Sequence, residues 1–389
     1  MPCQIAVMLK DLHLSRGCAA AFAAVGIYWG AFGALVPDLK PQVGLSDGGF
    51  GAAMLVSTAG AVAAMWAAPW IERVLGLRAV PVLACAVALA FVFPGLAVGG
   101  VSFALAMMLA AMASGTLDVA MNARLSVLES VSGRPLMNLN HGIFSLAYAL
   151  SAVFTGLARE AGWSPLMVFS ALGLVVLVLL APMILSPVPD PDRVEGAPEP
   201  APISWAVLAP AGLIVLVGFM AEQGTEGWSA LHLERGLGAG AAEGALGPAI
   251  LGFTMALGRF SGQAVAHRMS EAVVLSLGAS LSAMGAVVAA WADGLAMAYA
   301  GFAMLGLGVS VVAPMAFAWV GRLVAVERKA LAISRVAVLG YAGFFLGPPM
   351  MGGLSEMAGL AWSFTAVAGL LILVPLLLVP VLRRRGAPA

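Results

Sequence analysis

Charge is the scarcest property of this chain. Only 10% of its 389 residues are Asp, Glu, Lys or Arg, against 62% that are apolar. A water-soluble domain carries roughly 25% charged and 45–50% apolar residues, so this composition excludes a protein folded in water and makes lipid the solvent. Cys3, Cys18 and Cys85 are scattered, with no C-x-x-C spacing and no histidines beside them. That excludes a disulfide framework and a structural zinc site. The histidines, His13, His141, His232 and His267, have no metal-ligand spacing, and neither a G-x-S-x-G turn nor a phosphate-binding loop after a strand is present. An enzyme therefore finds no support, and neither a cofactor nor a metal is expected. With net charge zero, no nucleic-acid partner is expected either. A channel would show repeated pore loops or charged rings, and none is visible. The first apolar run, Gly17 to Leu39, is too long for a removable leader and lacks a cleavage site.

Long apolar runs are what the chain has in abundance. A membrane-spanning helix needs about 20 mostly apolar residues. Breakers and charges divide the sequence into twelve such runs: 17–39, 47–70, 77–97, 101–123, 137–158 and 164–185, then 204–231, 244–266, 270–292, 295–320, 333–354 and 360–381. Between the sixth and seventh lies SPVPDPDRVEGAPEPAPIS, with six prolines and almost no apolar periodicity, which reads as an extended linker. The expected organisation is a bundle over 1–185, a linker over 186–203 and a second bundle over 204–389. Basic residues orient the spans. If both termini are cytoplasmic, the inner segments hold Lys10, Arg16, Arg73, Arg78, Arg124, Arg134, Arg193, Arg268, Arg322, Arg328, Lys329, Arg335 and Arg383 to Arg385. The outer loops keep only Lys40, Arg159 and Arg235. This is a positive-inside pattern.

The chain also contains a copy of itself. Gly30 to Asp47 (GAFGALVPDLKPQVGLSD) recurs without a gap as Glu226 to Glu243 (EGWSALHLERGLGAGAAE), pairing Ala34 with Ala230, Asp38 with Glu234 and Asp47 with Glu243. Further on, Gly156-Leu-Ala-Arg-Glu is answered by Gly353-Leu-Ser-Glu. Related halves in a hydrophobic chain imply a transporter built from repeats, with its site between them.

On this topology the sequence resembles the major facilitator superfamily over nearly its whole length. Trp70-Ile-Glu-Arg-Val-Leu-Gly-Leu-Arg78 looks like the superfamily's loop signature G-x-x-x-D-R-x-G-x-R, with Glu72 for the Asp and one extra residue before Gly76. Gly258-Arg259-Phe-Ser-Gly262 and His267-Arg268 look like its counterpart in the second half. The resemblance implies an all-α membrane fold of twelve helices in two six-helix bundles. It implies gating roles for Glu72, Arg73, Arg78, Arg124, Arg259 and Arg268. Asp118-Val-Ala-Met-Asn122, His141-Gly-Ile-Phe-Ser145 and Glu222 to Leu231 are similar to a little-characterised branch of the bacterial inner membrane. That branch is distantly similar to the fucose permease group, which performs proton-coupled sugar uptake.

Ionisable residues within spans are functional candidates, because charge in a bilayer is costly. Asp118 and Asn122 are four apart and share a helix face. Asn138, Asn140, His141 and Ser145 on the next span return at similar depth. Asp118 could carry a coupling proton tuned by His141, or could pair with Arg124 or Arg335 as a gate. In the seventh span, Glu222 and Glu226 are again four apart, and Gly224 and Gly227 are expected to interrupt the helix. Tyr28, Trp29, Asn122, Tyr148, Gln223, Gln263 and Tyr341 are the candidate substrate contacts, since polar-tipped aromatics and amides are rare here. Arg259 could bind an anionic substrate or latch the second bundle at the cytoplasmic face, and its motif position favours the latch. The expectation is a monomeric secondary transporter for a small polar solute, proton-coupled. The alternative is efflux of drugs or amphiphiles by proton antiport.

Overall fold

The computed structural model describes residues 2–186, 204–266, 269–325 and 328–385. They form α-helices with no strand among them. In chain order these are α1 (Pro2–Leu14), α2 (Arg16–Gln42), α3 (Asp47–Leu75), α4 (Ala79–Ala90), α5 (Val92–Leu96), α6 (Gly100–Ser132), α7 (Met137–Glu160) and α8 (Pro165–Leu185). The second half contributes α9 (Trp205–Leu237), α10 (Ala241–Ala266), α11 (Glu271–Ala290), α12 (Leu295–Val309), α13 (Val312–Leu323), α14 (Lys329–Ala358), α15 (Leu360–Leu373) and α16 (Val379–Arg385). Most of the linker, 187–203, lies outside the described residues.

Among the described residues, eleven stretches are long and apolar enough to cross a membrane, and one of them, Asp47–Leu96, runs for 50 residues. At 1.5 Å per residue that is about 75 Å, more than twice the ~30 Å hydrocarbon core. The stretch turns at Gly76, whose φ of 53° suits a residue without a Cβ, and returns as α4 and α5. Twelve crossings result.

The helices pack through small residues. A Cβ on Gly30 of α2 would overlap the Tyr148 backbone of α7, and one on Gly60 of α3 would overlap Met108 of α6. Close approach of this kind gives van der Waals packing without polar glue, which is how helices associate in lipid. Large apolar side chains such as Trp66, Val98 and Leu174 face outward instead. The two halves meet where α2 packs on α9, α7 on α10 and α3 on α14.

One local expectation is corrected. α9 is one unbroken helix through Gly224 and Gly227. A helical glycine costs only about 1 kcal/mol relative to alanine, and Gly224 is needed for packing, since a Cβ there would meet Met351 at 3.2 Å. The apolar run 295–320 is divided between α12 and α13 at Ser310 and Val311, in keeping with the kink that Pro314 leads one to expect from the sequence. Pro314 is the physical cause: it has no N–H to offer the Ser310 carbonyl four residues back.

Candidate functional site

A cavity of about 320 Å³ lies between the halves. α2 supplies Phe22 and Trp29, α6 supplies Asp118, α7 supplies His141 and Phe144, α9 supplies Phe219, Glu222, Gln223 and Glu226, α10 supplies Arg259, and α14 supplies Tyr341 and Phe344. The polar residues form one connected chain. Asn122 donates its amide to the Asp118 carboxylate at 3.0 Å and to the Asp118 backbone carbonyl at 2.9 Å. That leaves the Asn122 carbonyl oxygen facing His141 Nε2 at 3.2 Å, so the ring nitrogen there is the donor. Phe22 packs edge-on against the imidazole, with centroids 4.8 Å apart.

Arg259 carries the chain across the interface. Its guanidinium donates to the Ser145 hydroxyl and, at 3.5 Å, to the His141 carbonyl, both on α7. Its other amino group meets Glu222 Oε1 at 3.1 Å. Glu226, one turn beyond Glu222, lies in the electrostatic reach of both Glu222 and Arg259. A guanidinium with several donors in a planar fork suits such a junction, since it can serve a carboxylate and two neutral oxygens together.

The remaining sequence-selected residues divide between wall and scaffold. Trp29, Gln223 and Tyr341 line the cavity, whereas Tyr28, its neighbour, does not. Tyr28 is fully buried inside the first half, stacked on Phe91 at 4.9 Å. Tyr148 is 1% exposed beside Phe144, and its hydroxyl has no hydrogen-bond partner among the described residues. Asn140 bonds to Ser15 and to the Leu136 carbonyl, away from the chain. The side chain of Gln263 and all of Arg268 lie outside the described residues.

Of the candidate gating residues, Glu72 and Arg124 are buried and face each other at 3.5 Å. Arg124 also donates to the Gly76 carbonyl at 2.7 Å, tying α6 to the turn after α3. Asp118 accepts from Asn122 and is not paired with Arg124 or Arg335. Arg73 and Arg78 are exposed. Arg259 points into the cavity rather than snorkelling toward a membrane face.

A second charged system lies at the end where α2 and α7 finish, joining the outer-loop cations Lys40, Arg159 and Arg235 to the repeat-paired acids Asp38, Asp47 and Glu234. Arg159, with a side chain 4% exposed, clamps Asp38 at 2.7 and 2.8 Å and Glu234 at 2.7 and 3.1 Å. Asp47 accepts from Lys40 at 2.6 Å and from Arg235 at 2.8 and 2.9 Å. Ser355 also donates to it at 2.5 Å. Two carboxylates cap helices of the opposite half. Glu356 of α14 accepts from the Gly48 N–H of α3 at 2.6 Å, and Glu160 of α7 accepts from the Ala242 N–H of α10 at 3.1 Å. The usable signal was in the repeat: Asp38 and Glu234 hold equivalent, acidic positions.

Comparison with known proteins follows these features. The family model for the Major Facilitator Superfamily matches residues 18–302 and 260–389. An uncharacterised transporter of that type from Yersinia pestis is 30% identical over 361 residues, covering 91% of this chain and 92% of that protein. The membrane protein MosC of Rhizobium meliloti is 25% identical over 381 residues, covering 94% and 92%. Among solved structures, a bacterial homologue of the human lysosomal transporter Spinster, inward-facing and occupied, superimposes with a TM-score of 0.77 at 15% identity over 100% of both chains. The nucleoside transporter NupG gives 0.70 at 12% identity, covering 95% of this chain and 98% of that one. With its twelve crossings, repeated halves and interfacial cavity, this chain belongs to the major facilitator superfamily and is a multi-pass membrane transporter.

Proposed function

We propose that the protein is a proton-coupled secondary transporter that moves a small solute across the bacterial inner membrane by alternating access, working as a monomer. The observation that carries this reading is the polar chain from Asp118 through Asn122, His141 and Arg259 to Glu222. It joins both halves around one cavity, so rearranging the halves must rearrange it. Asp118 is held by a neutral amide rather than by a cation. A carboxyl group so placed can exist with or without its proton, which a carrier requires. Glu222, Glu226 and His141 complete the coupling set. Trp29, Gln223 and Tyr341 are the wall contacts for solute, with Asn122 and Tyr148 behind them.

The charged ties support an inward-open state. The interhalf ion pairs cluster at the Asp38 end, whereas at the end bearing α1 and α16 no ion pair joins the halves among the described residues. That second end collects the basic residues and is therefore assigned to the cytoplasm. In this reading the Glu72–Arg124 pair, with Arg73 and Arg78 on the same face, belongs to the cytoplasmic gate, and the sequence motif assigns Arg268 to it as well. Arg259 ties the halves within the cavity.

The reading is tested in proteoliposomes with an imposed pH gradient. Asp118→Asn abolishes gradient-driven accumulation and leaves counterflow exchange intact; full accumulation by this variant would overturn the carrier role of Asp118. Amphiphile efflux is the second reading, favoured by the aromatic wall of Trp29, Phe144, Phe219 and Phe344. Selective protection of cells against amphiphiles, without uptake of any polar solute, would support it instead.

A further inference from the structure

The charge of the cavity constrains what it can bind. Asp118, Glu222 and Glu226 line it together with a single guanidinium, Arg259. Arg259 is committed to Glu222, Ser145 and the His141 carbonyl, and Asp118 is served by Asn122. Glu226 is left over. Among the described residues no side chain or backbone N–H donates to its carboxylate, and its nearest charged neighbour on α9 is Glu222, of like sign. Beside it the buried Tyr148 hydroxyl, electrostatically coupled to Glu226 and Glu222, also lacks a partner. Glu226 is half-buried and opens onto the cavity, so its oxygens are free to meet a ligand, and desolvating them without a partner would be costly. Glu226 faces the same cavity as Trp29, Phe144 and Tyr341, with the Tyr148 hydroxyl buried behind that wall.

On the transporter reading above, we infer that the solute is an organic cation: a protonated amine on a ring-bearing body, with its ammonium group bound by Glu226. An ammonium supplies the donors that Glu226 lacks. Aromatic faces attract a cation at close range, best when it is desolvated. A carboxylate or phosphate solute would meet an excess of negative charge. A neutral polyol would bring no charge to Glu226, and the cavity hydroxyls of Ser57, Thr58 and Ser114 already donate to the Met107, Met54 and Ala111 carbonyls.

The test uses two sets of probes that differ only in head-group charge, bound to the purified full-length protein in detergent at pH 7. One set is tyramine, tyrosol and 4-hydroxyphenylacetate; the other is glucosamine, glucose and glucuronate. The cationic member of at least one set binds at least about tenfold more tightly than its neutral and anionic partners, as expected for a charge-assisted contact. Glu226→Gln removes that preference, and Glu226→Asp, which keeps the charge, retains it. Equal or tighter binding of a neutral or anionic probe, no cation preference in either set, or preference surviving in Glu226→Gln overturns the assignment. Gradient-driven transport of glucose or tyrosol would sink the cation assignment while leaving the transporter reading intact. Cation binding at Glu226 with no probe moved across a liposome would do the reverse.

Discussion

Arg259 shows how much one side chain decides in a cavity short of donors. Its guanidinium, 14% exposed, faces a Glu222 carboxylate of equal burial. A buried pair is not strongly stabilising in itself, but breaking it leaves an uncompensated charge. Glu222→Gln is therefore expected to lower thermal stability, by about 1–3 kcal/mol. Combining it with Arg259→Gln should recover part of that loss. A double-mutant cycle on melting in detergent measures the coupling, and strict additivity would show that the pair does not interact. Tyr28 and Trp29 make a second point at this scale. Adjacent helical residues point about 100° apart, so one stacks inside the first half while the other lines the cavity. Composition marked both, and neither their type nor their depth distinguishes them.

Among the helices, the cross-capping of α3 and α10 is a symmetric device. The first N–H groups of a helix have no partner within it and carry partial positive charge. Glu356 serves those of α3 from the second half, and Glu160 serves those of α10 from the first. Each cap ties its helix to the opposite half, and on the proposed alternating access it would part when this end opens. Glu160→Gln and Glu356→Gln are each expected to raise maleimide labelling of a cysteine placed at Ala34, in a background lacking Cys3, Cys18 and Cys85, with the double variant above either single one. Labelling unchanged in the double variant would show that the caps do not hold the closure. α9 and α12 carry the lesson about legibility. Length and hydropathy located both spans, and the break before Pro314 was legible from its missing N–H. Continuity through Gly224 and Gly227 was not, because a helical glycine costs only about 1 kcal/mol and packing around the helix holds it.

For the whole molecule, the Arg159 clamp is an ion-pair tie that joins the two halves at this end. One guanidinium serves two repeat-equivalent carboxylates, Asp38 and Glu234. Arg159→Gln removes that charge and leaves two acids facing each other. Each hydrogen bond to a charged group contributes about 1.5–3 kcal/mol, so the equilibrium should move toward opening at this end by about tenfold or more. Distances between labels at this end, measured by double electron–electron resonance in detergent, check the shift. An unchanged distribution would remove Arg159 from the closure.

The sequence by itself determined the solvent, the twelve crossings, the halves and the family. Each of these follows from signals local to a segment or repeated at a fixed offset: hydropathy over about 20 residues, basic flanks, and the copy of Gly30 to Asp47 at Glu226 to Glu243. It also nominated Asp118 with Asn122 and Glu222 with Glu226, because i, i+4 spacing places each pair on one helix face. Only the tertiary structure decided which of these residues meet. Arg259 joining Glu222 to Ser145, Arg159 joining Asp38 to Glu234, and Glu226 left without a donor are contacts between segments far apart in the chain. Their geometry is set by how two bundles pack across an interface, and no local pattern encodes which side chain lies opposite.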